Sequence, residues 1–177
     1  MVIVSTSTVG TTMSDYMDRT LGLGYTNGTA ILLTILLVIF SLWRFSAHSL
    51  SVVNIKTAKV ELFYWTAILF SNTLGTALGD FLAHDSGLGF VGGALLIGSL
   101  LAVVIAATFY TRISRVLLFW IAFVLTRPFG ATMGDVLTKT KAEGGLNFGT
   151  IGSSLILGLI LISLIFYTAK EATKQHR

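Results

Sequence analysis

Three stretches of the chain repeat one pattern: Gly10-Thr11-Thr12-Met13-Ser14-Asp15, Gly75-Thr76-Ala77-Leu78-Gly79-Asp80 and Gly130-Ala131-Thr132-Met133-Gly134-Asp135. A glycine-rich turn follows each, at Gly22-Leu23-Gly24-Tyr25, Gly87-Leu88-Gly89-Phe90 and Gly145-Leu146-Asn147-Phe148. Long apolar runs come next, at 29–45, 91–110 and 150–167. Upstream, Phe63-Tyr64-Trp65 matches Leu118-Phe119-Trp120, and each tryptophan precedes its aspartate by 15 residues. A fixed internal period means one supersecondary unit stacked on itself. The unit here is a helix (A), a short loop and a second helix (B). Three copies predict about six helices, with repeats at about 1–46, 58–111 and 113–169 of a single transmembrane domain spanning 1–177.

Composition sets the solvent. Of the 177 residues, 54% are hydrophobic and 11% charged, against about 25% charged in soluble domains. The fold class is all-α: a polytopic transmembrane helical bundle in a lipid bilayer. With no cysteine, a disulfide scaffold and cysteine-ligated zinc or iron–sulfur sites are excluded. The basic residues sit between apolar runs, which is the positive-inside pattern and not a nucleic-acid footprint. Residues 1–19 lack the basic start of a signal peptide.

Orientation follows from loop charge. Arg44, Lys56, Lys59, Arg112, Arg115, Lys170, Lys174 and Arg177 flank the repeats, while Arg19, Lys139 and Lys141 lie in the A–B loops. The excess places the inter-repeat loops and the C-terminus in the cytoplasm. All three repeats then insert the same way up, as parallel repeats. Helix A of repeat 1 has about 15 residues before Asp15, roughly 22 Å at 1.5 Å per residue, against a hydrocarbon thickness of roughly 30 Å. It is a stunted span or the chain is a fragment, and the fragment is the expectation.

Phe63-Tyr64-Trp65, the run Thr73-Leu74-Gly75-Thr76-Ala77-Leu78-Gly79-Asp80, Leu125-Thr126-Arg127-Pro128 and the Gly-Leu-Gly turns carry a family resemblance. The chain resembles bacterial inner-membrane proteins built from tandem two-helix repeats of unknown function. The resemblance covers nearly the whole chain. It implies the repeat fold and an inner-membrane location, but no activity. Such proteins usually carry four repeats and this chain shows three, so an N-terminal repeat is expected to be missing.

The candidate functional groups lie on the A helices. Asp15, Asp80 and Asp135 share one position, and a carboxylate in a span is costly unless paired or wet. Brought to one axis, such oxygens suit a divalent cation, with Asp80 and Asp135 as metal ligands, or a proton relay. Against this, Arg19, His84 and Lys139 each follow an aspartate by four residues, the spacing of a helical salt bridge at a helix C-terminus. The pairs Gly10/Ser14, Gly75/Gly79 and Gly130/Gly134 follow the small-xxx-small pattern of close helix packing, so helix A is expected inside and helix B against lipid. Ser7, Asn72 and Arg127 stand eight residues before the three aspartates and form a polar layer. Arg127, beside the only proline, Pro128, is read either as an anion or counter-charge site or as a tie between helices. Thr76 and Thr132 could line a polar interior, although threonines in helices usually bond their own preceding turn. Trp43 beside Arg44 reads as an interfacial pair.

No zinc-binding H-E-x-x-H, phosphate loop or nucleophile elbow is present. No lysine lies deep in a span, and His48, His84 and His176 fall at interfaces or in the tail. No enzymatic activity and no cofactor is expected. Two functions remain. One is transport of a small ion, a divalent metal cation or a proton-coupled solute, through an interior lined by the A helices. The other is a structural or accessory subunit without transport. A second copy of the chain could cover an open interior face.

Overall fold

The computed structural model describes residues 2–47, 50, 52, 55 and 57–175. Among them are six α-helices: α1 (Val2–Asp15), α2 (Gly24–Ala47), α3 (Ala58–Asp80), α4 (Gly89–Tyr110), α5 (Arg115–Thr138) and α6 (Gly149–Gln175). They alternate as A and B helices, as the repeat requires. No strand occurs among the described residues. His48, Lys56, His176 and Arg177 lie outside the described residues.

The chain forms two compact units, Met1–Met133 and Gly134–Arg177. In the first, α3 is the central helix. It buries Ala67, Ile68, Ser71, Thr73, Leu74, Gly75, Ala77 and Gly79, and it packs on both α1 and α2. Helix α2 presents Gly28, Leu32, Leu36, Ile39 and Trp43 inward, a stripe at helical spacing. Its opposite face leaves Leu33, Leu37, Val38 and Phe45 exposed, as expected of a lipid-facing surface. The second unit holds the end of α5 and α6, whose Ile151, Leu155, Leu159 and Phe166 are all exposed.

Among the described residues, four helices are long and apolar enough to cross a membrane: α2, α4, α5 and α6. The other two A helices fall short for different reasons. Helix α1 has only 14 residues. Helix α3 has 23 residues, but Ser71, Asn72, Thr73 and Thr76 dilute its apolar character. Polar side chains are tolerable there because α3 faces protein on several sides. The expectation that every A helix is interior is corrected by α1, which buries only Gly10 and Ser14 and exposes Val2, Ile3, Val4 and Val9.

The A–B connections show why glycine recurs. After Asp15 and after Asp80 the helix widens into a π-helical turn, Tyr16–Thr20 and Phe81–Asp85. Leu21 N–H donates to Tyr16 O at 2.9 Å and Ser86 N–H to Phe81 O at 3.0 Å, the five-residue spacing of a π turn. Gly24 and Gly89 then take φ of +74° and +65°, where a Cβ is disfavoured. In repeat 3 the π turn is absent. A short 3-10 turn, Lys141–Glu143, carries a capping box with Thr140. Gly149 opens α6 at φ +65°, as Gly24 and Gly89 open α2 and α4. Asn147 takes φ 60° two residues earlier, where Gly22 and Gly87 stand in the other repeats. Asparagine tolerates that region better than most residues.

An aromatic cluster closes the other end of the first unit. Trp43 is fully buried and meets Trp120 edge-on at 5.6 Å between centroids. It also stacks on Phe63 at 6.5 Å. Trp120 Nε1 donates to Leu50 O at 3.0 Å. Tertiary packing thus encloses the Trp43 ring near the end of its span, a burial that its place beside Arg44 did not signal. Trp65, the repeat counterpart of Trp120, instead donates to Glu61 on its own helix at 3.4 Å.

Candidate functional site

Close helix approach creates the site. A Cβ added at Gly10 would sit 2.8 Å from Asn72 Cβ and 3.0 Å from Thr73 N. One added at Gly75 would run into the Arg127 side chain and lie 3.2 Å from Pro128 Cδ. Gly10 and Gly75 are equivalent, and so are the pairs Asn72/Thr73 and Arg127/Pro128. The first and second A helices thus each pack this glycine onto the same two positions of the next A helix. Gly79 continues the contact, with a Cβ there 3.1 Å from that of Ala131. Ser14 is buried. Gly130 departs from the expected pattern, since a Cβ there would meet nothing within 4 Å. It belongs to α5, the third A helix, and among the described residues no other helix packs on it. Gly134 belongs to the second unit, where no neighbour crowds it.

These contacts bring three A helices around a cleft of about 420 Å³ lined by Thr11, Thr76, Thr126, Arg127, Gly130 and Ala131. Thr11, Thr76 and Ala131 all stand four residues before their aspartates, so the cleft follows the repeat symmetry. Thr11 and Thr76 hydroxyls lie 3.5 Å apart. Arg127 reaches across to α1. Its Nη1 donates to the Ser7 hydroxyl, and its Nη2 to Ser7 O at 3.1 Å and Thr11 Oγ1 at 2.9 Å. The polar layer proposed from the sequence is thus half assembled. Arg127 meets Ser7, whereas Asn72 serves as packing surface for Gly10 and none of Arg127's hydrogen bonds goes to it.

Most hydroxyls turn back on their own helices. Thr76 donates to Asn72 O at 3.3 Å and Thr73 to Leu69 O at 2.9 Å. Thr132 is fully buried and bonds Pro128 O at 2.9 Å, away from the cleft lining. This is the usual behaviour of threonine within a helix.

The three aspartates have separate fates. Asp15 pairs with Arg19 at 3.6 Å, with both side chains substantially exposed; such a pair contributes little. The backbone carbonyl of Asp80 lies 3.0 Å from His84 Nδ1. Lys139 N–H donates to Asp135 O at 2.8 Å in the ordinary helical pattern. Asp135 belongs to the second unit and Asp15 and Asp80 to the first. Among the described residues no group of three or more His, Cys, Asp or Glu could hold a metal ion, so the Asp80/Asp135 metal assignment gains no support.

The two A–B connections of the first unit interlock. Thr26 donates to Asp85 Oδ2 at 3.2 Å. Tyr25 stacks on His84 at 5.3 Å, and Phe90 meets that imidazole edge-on at 5.6 Å. Inside this junction lies Asp18, only 6% exposed. Ser14 Oγ donates to its Oδ2 at 3.4 Å, while its Oδ1 is buried without a hydrogen-bond partner. Gly28 on α2 is buried against that carboxylate, which occupies the place a side chain would need. Asp18 has no acidic counterpart in the other repeats, where Ala83 and Thr138 stand. The signal available was its spacing, four residues after Ser14 on the same face.

The apolar helices, the repeated A–B unit and the glycine-mediated A–A packing define a helical repeat membrane protein. The family model described as Repeat of Unknown Function (DUF347) matches three successive segments, 1–49, 63–114 and 118–173, and the chain belongs to that family. No curated protein and no solved structure matches it.

Proposed function

We propose that this protein carries a small anion across its membrane, and that Arg127 in the cleft between α1, α3 and α5 holds it. One observation carries the reading. The guanidinium sits midway along a candidate span, half-buried. Its hydrogen bonds go only to neutral oxygens of Ser7 and Thr11, and no salt bridge to it exists among the described residues. A charge at that depth costs several kcal/mol unless it is paired or faces a wet cavity. An anion in the adjoining cleft would offset that cost. Glycine and alanine at the lining leave room for a small ligand beside the guanidinium, while the lining threonines donate to carbonyls of their own helices. The cation alternative has less behind it, because the cleft lining contains no carboxylate.

The location that accompanies this reading is a bacterial inner membrane with the C-terminus cytoplasmic, supported by the excess of Lys and Arg outside the A–B loops. The accessory-subunit reading has its own observation: Arg127 clamps α5 to α1 with three hydrogen bonds, which is a structural task in itself.

Flux into proteoliposomes separates the two. The panel is chloride, nitrate, bicarbonate and phosphate, with Mn²⁺ as a cation control. Anion flux abolished in Arg127→Gln, with the fold retained, supports transport. Absence of anion flux from folded protein, or equal flux in Arg127→Gln, overturns it in favour of the accessory role.

A further inference from the structure

We infer that Asp18 is a proton-binding site, neutral when the first π turn is docked against α2 at Gly28. The inference is independent of the anion reading and rests on different residues. A carboxylate withdrawn from water needs a cation or several hydrogen bonds. Asp18 is more than nine-tenths buried. It has one long hydrogen bond, from Ser14, and an Oδ1 with no partner. The neighbouring guanidinium, Arg19, is bonded to Asp15 instead.

The charged groups around Asp18 favour the neutral acid. Burial pushes its carboxyl up from the ordinary aspartate range. Among the weaker influences, Asp15 and Asp85 push the same way, while Ser14 and Arg19 oppose. Asp15 and Arg19 lie on its own segment and Asp85 on the second π turn. From α2 comes Tyr25, stacked on His84 of the second π turn and hydrogen-bonded to Arg19. Asp80 also acts on Arg19, so four carboxylates, Asp15, Asp18, Asp80 and Asp85, stand with one guanidinium at this end of the unit, and a proton on the most buried of them relieves the imbalance. Gly28 supplies the space: with no side chain there, the Asp18 carboxyl lies directly on the α2 backbone. An ionised Asp18 would have to leave that contact for water, so proton release would loosen the junction of the first A–B connection with α2.

Carboxyl-specific ¹³C labelling of the aspartates in the full-length protein tests this by NMR titration. One aspartate signal should keep its proton at a pH where the others have lost theirs, and Asp18→Asn should remove that signal. Ser14→Ala, which deletes the hydrogen bond favouring the charged form, should raise the midpoint of that signal and keeps the test open if Asp18→Asn does not fold. Aspartates that all titrate together in the ordinary range, a high-titrating signal that survives Asp18→Asn, or a midpoint unmoved by Ser14→Ala would each overturn the inference.

Discussion

Arg127 on α5 and Ser7 on α1 stand at equivalent repeat positions, and the guanidinium of one takes both the hydroxyl and the carbonyl of the other as acceptors. The contact joins residues 120 apart in the chain. It ties the third A helix to the first across a cleft that the second also lines.

Loss of that tie should be measurable apart from any flux. Ser7→Ala removes one acceptor and should cost about 0.6–2 kcal/mol, the range for hydrogen bonds between helices in membranes. Arg127→Lys keeps the charge but loses the planar fork, so it should cost more than Ser7→Ala. Reversible unfolding in detergent micelles reads both. A lysine variant as stable as the wild type would show that charge alone, not the forked geometry, holds α5 to α1.

The glycines should not be equivalent. Gly10→Ala and Gly75→Ala place a methyl against backbone-proximal atoms of the next helix. Overpacking of that kind costs about 1–3 kcal/mol. Gly130→Ala meets open space and should gain up to about 1 kcal/mol of helix propensity. Thermal midpoints of the three variants decide this. A loss at Gly130 matching that at Gly75 would show that a partner helix occupies this face.

Glu143 offers a pH test in the repeat 3 loop. Its carboxylate accepts from the Thr140 hydroxyl at 2.6 Å and from Thr140 N–H at 3.2 Å. These bonds, the hydroxyl first, hold its carboxyl below the ordinary glutamate range. A depressed carboxyl stabilises the folded loop above the unfolded value of about 4.3. That contribution is lost as pH falls through the lower, folded value. Thr140→Ala should return the Glu143 titration towards the ordinary range. An NMR titration with no difference between the two proteins would mean the capping box does not persist in solution.

The proposed topology can be read from the outside. The chain has no cysteine, so single cysteines at Leu88, Ala142 and Arg112 need no background removal. A membrane-impermeant maleimide applied to intact cells should label positions 88 and 142 and spare 112. Labelling at 112 alone would invert the orientation inferred from loop charge.

Much of the architecture is local and periodic, and so is visible in one dimension. Six helices follow from apolar runs and glycine turns, and the three-copy organisation follows from Gly75–Asp80 and its two counterparts. The Gly10 and Gly75 contacts were legible because close packing in lipid selects small residues at i and i+4. What hid Asp18 was the repeat itself: a residue without counterparts carries no periodic signal, and its burial comes from the neighbouring Gly28 on another helix.

Sequence alone therefore determined the helices, their order and the family, because each depends on residues close together along the chain or on the copying of one unit. Tertiary structure alone decided that Arg127 bonds Ser7 and not Asn72, that Gly130 stays open while Gly75 is filled, and that the Trp43 ring is enclosed by other side chains. It also decided which aspartate is buried without a partner. These depend on which faces meet, and the meeting of faces is set by packing between segments tens of residues apart, for which equal spacing within each repeat holds no record.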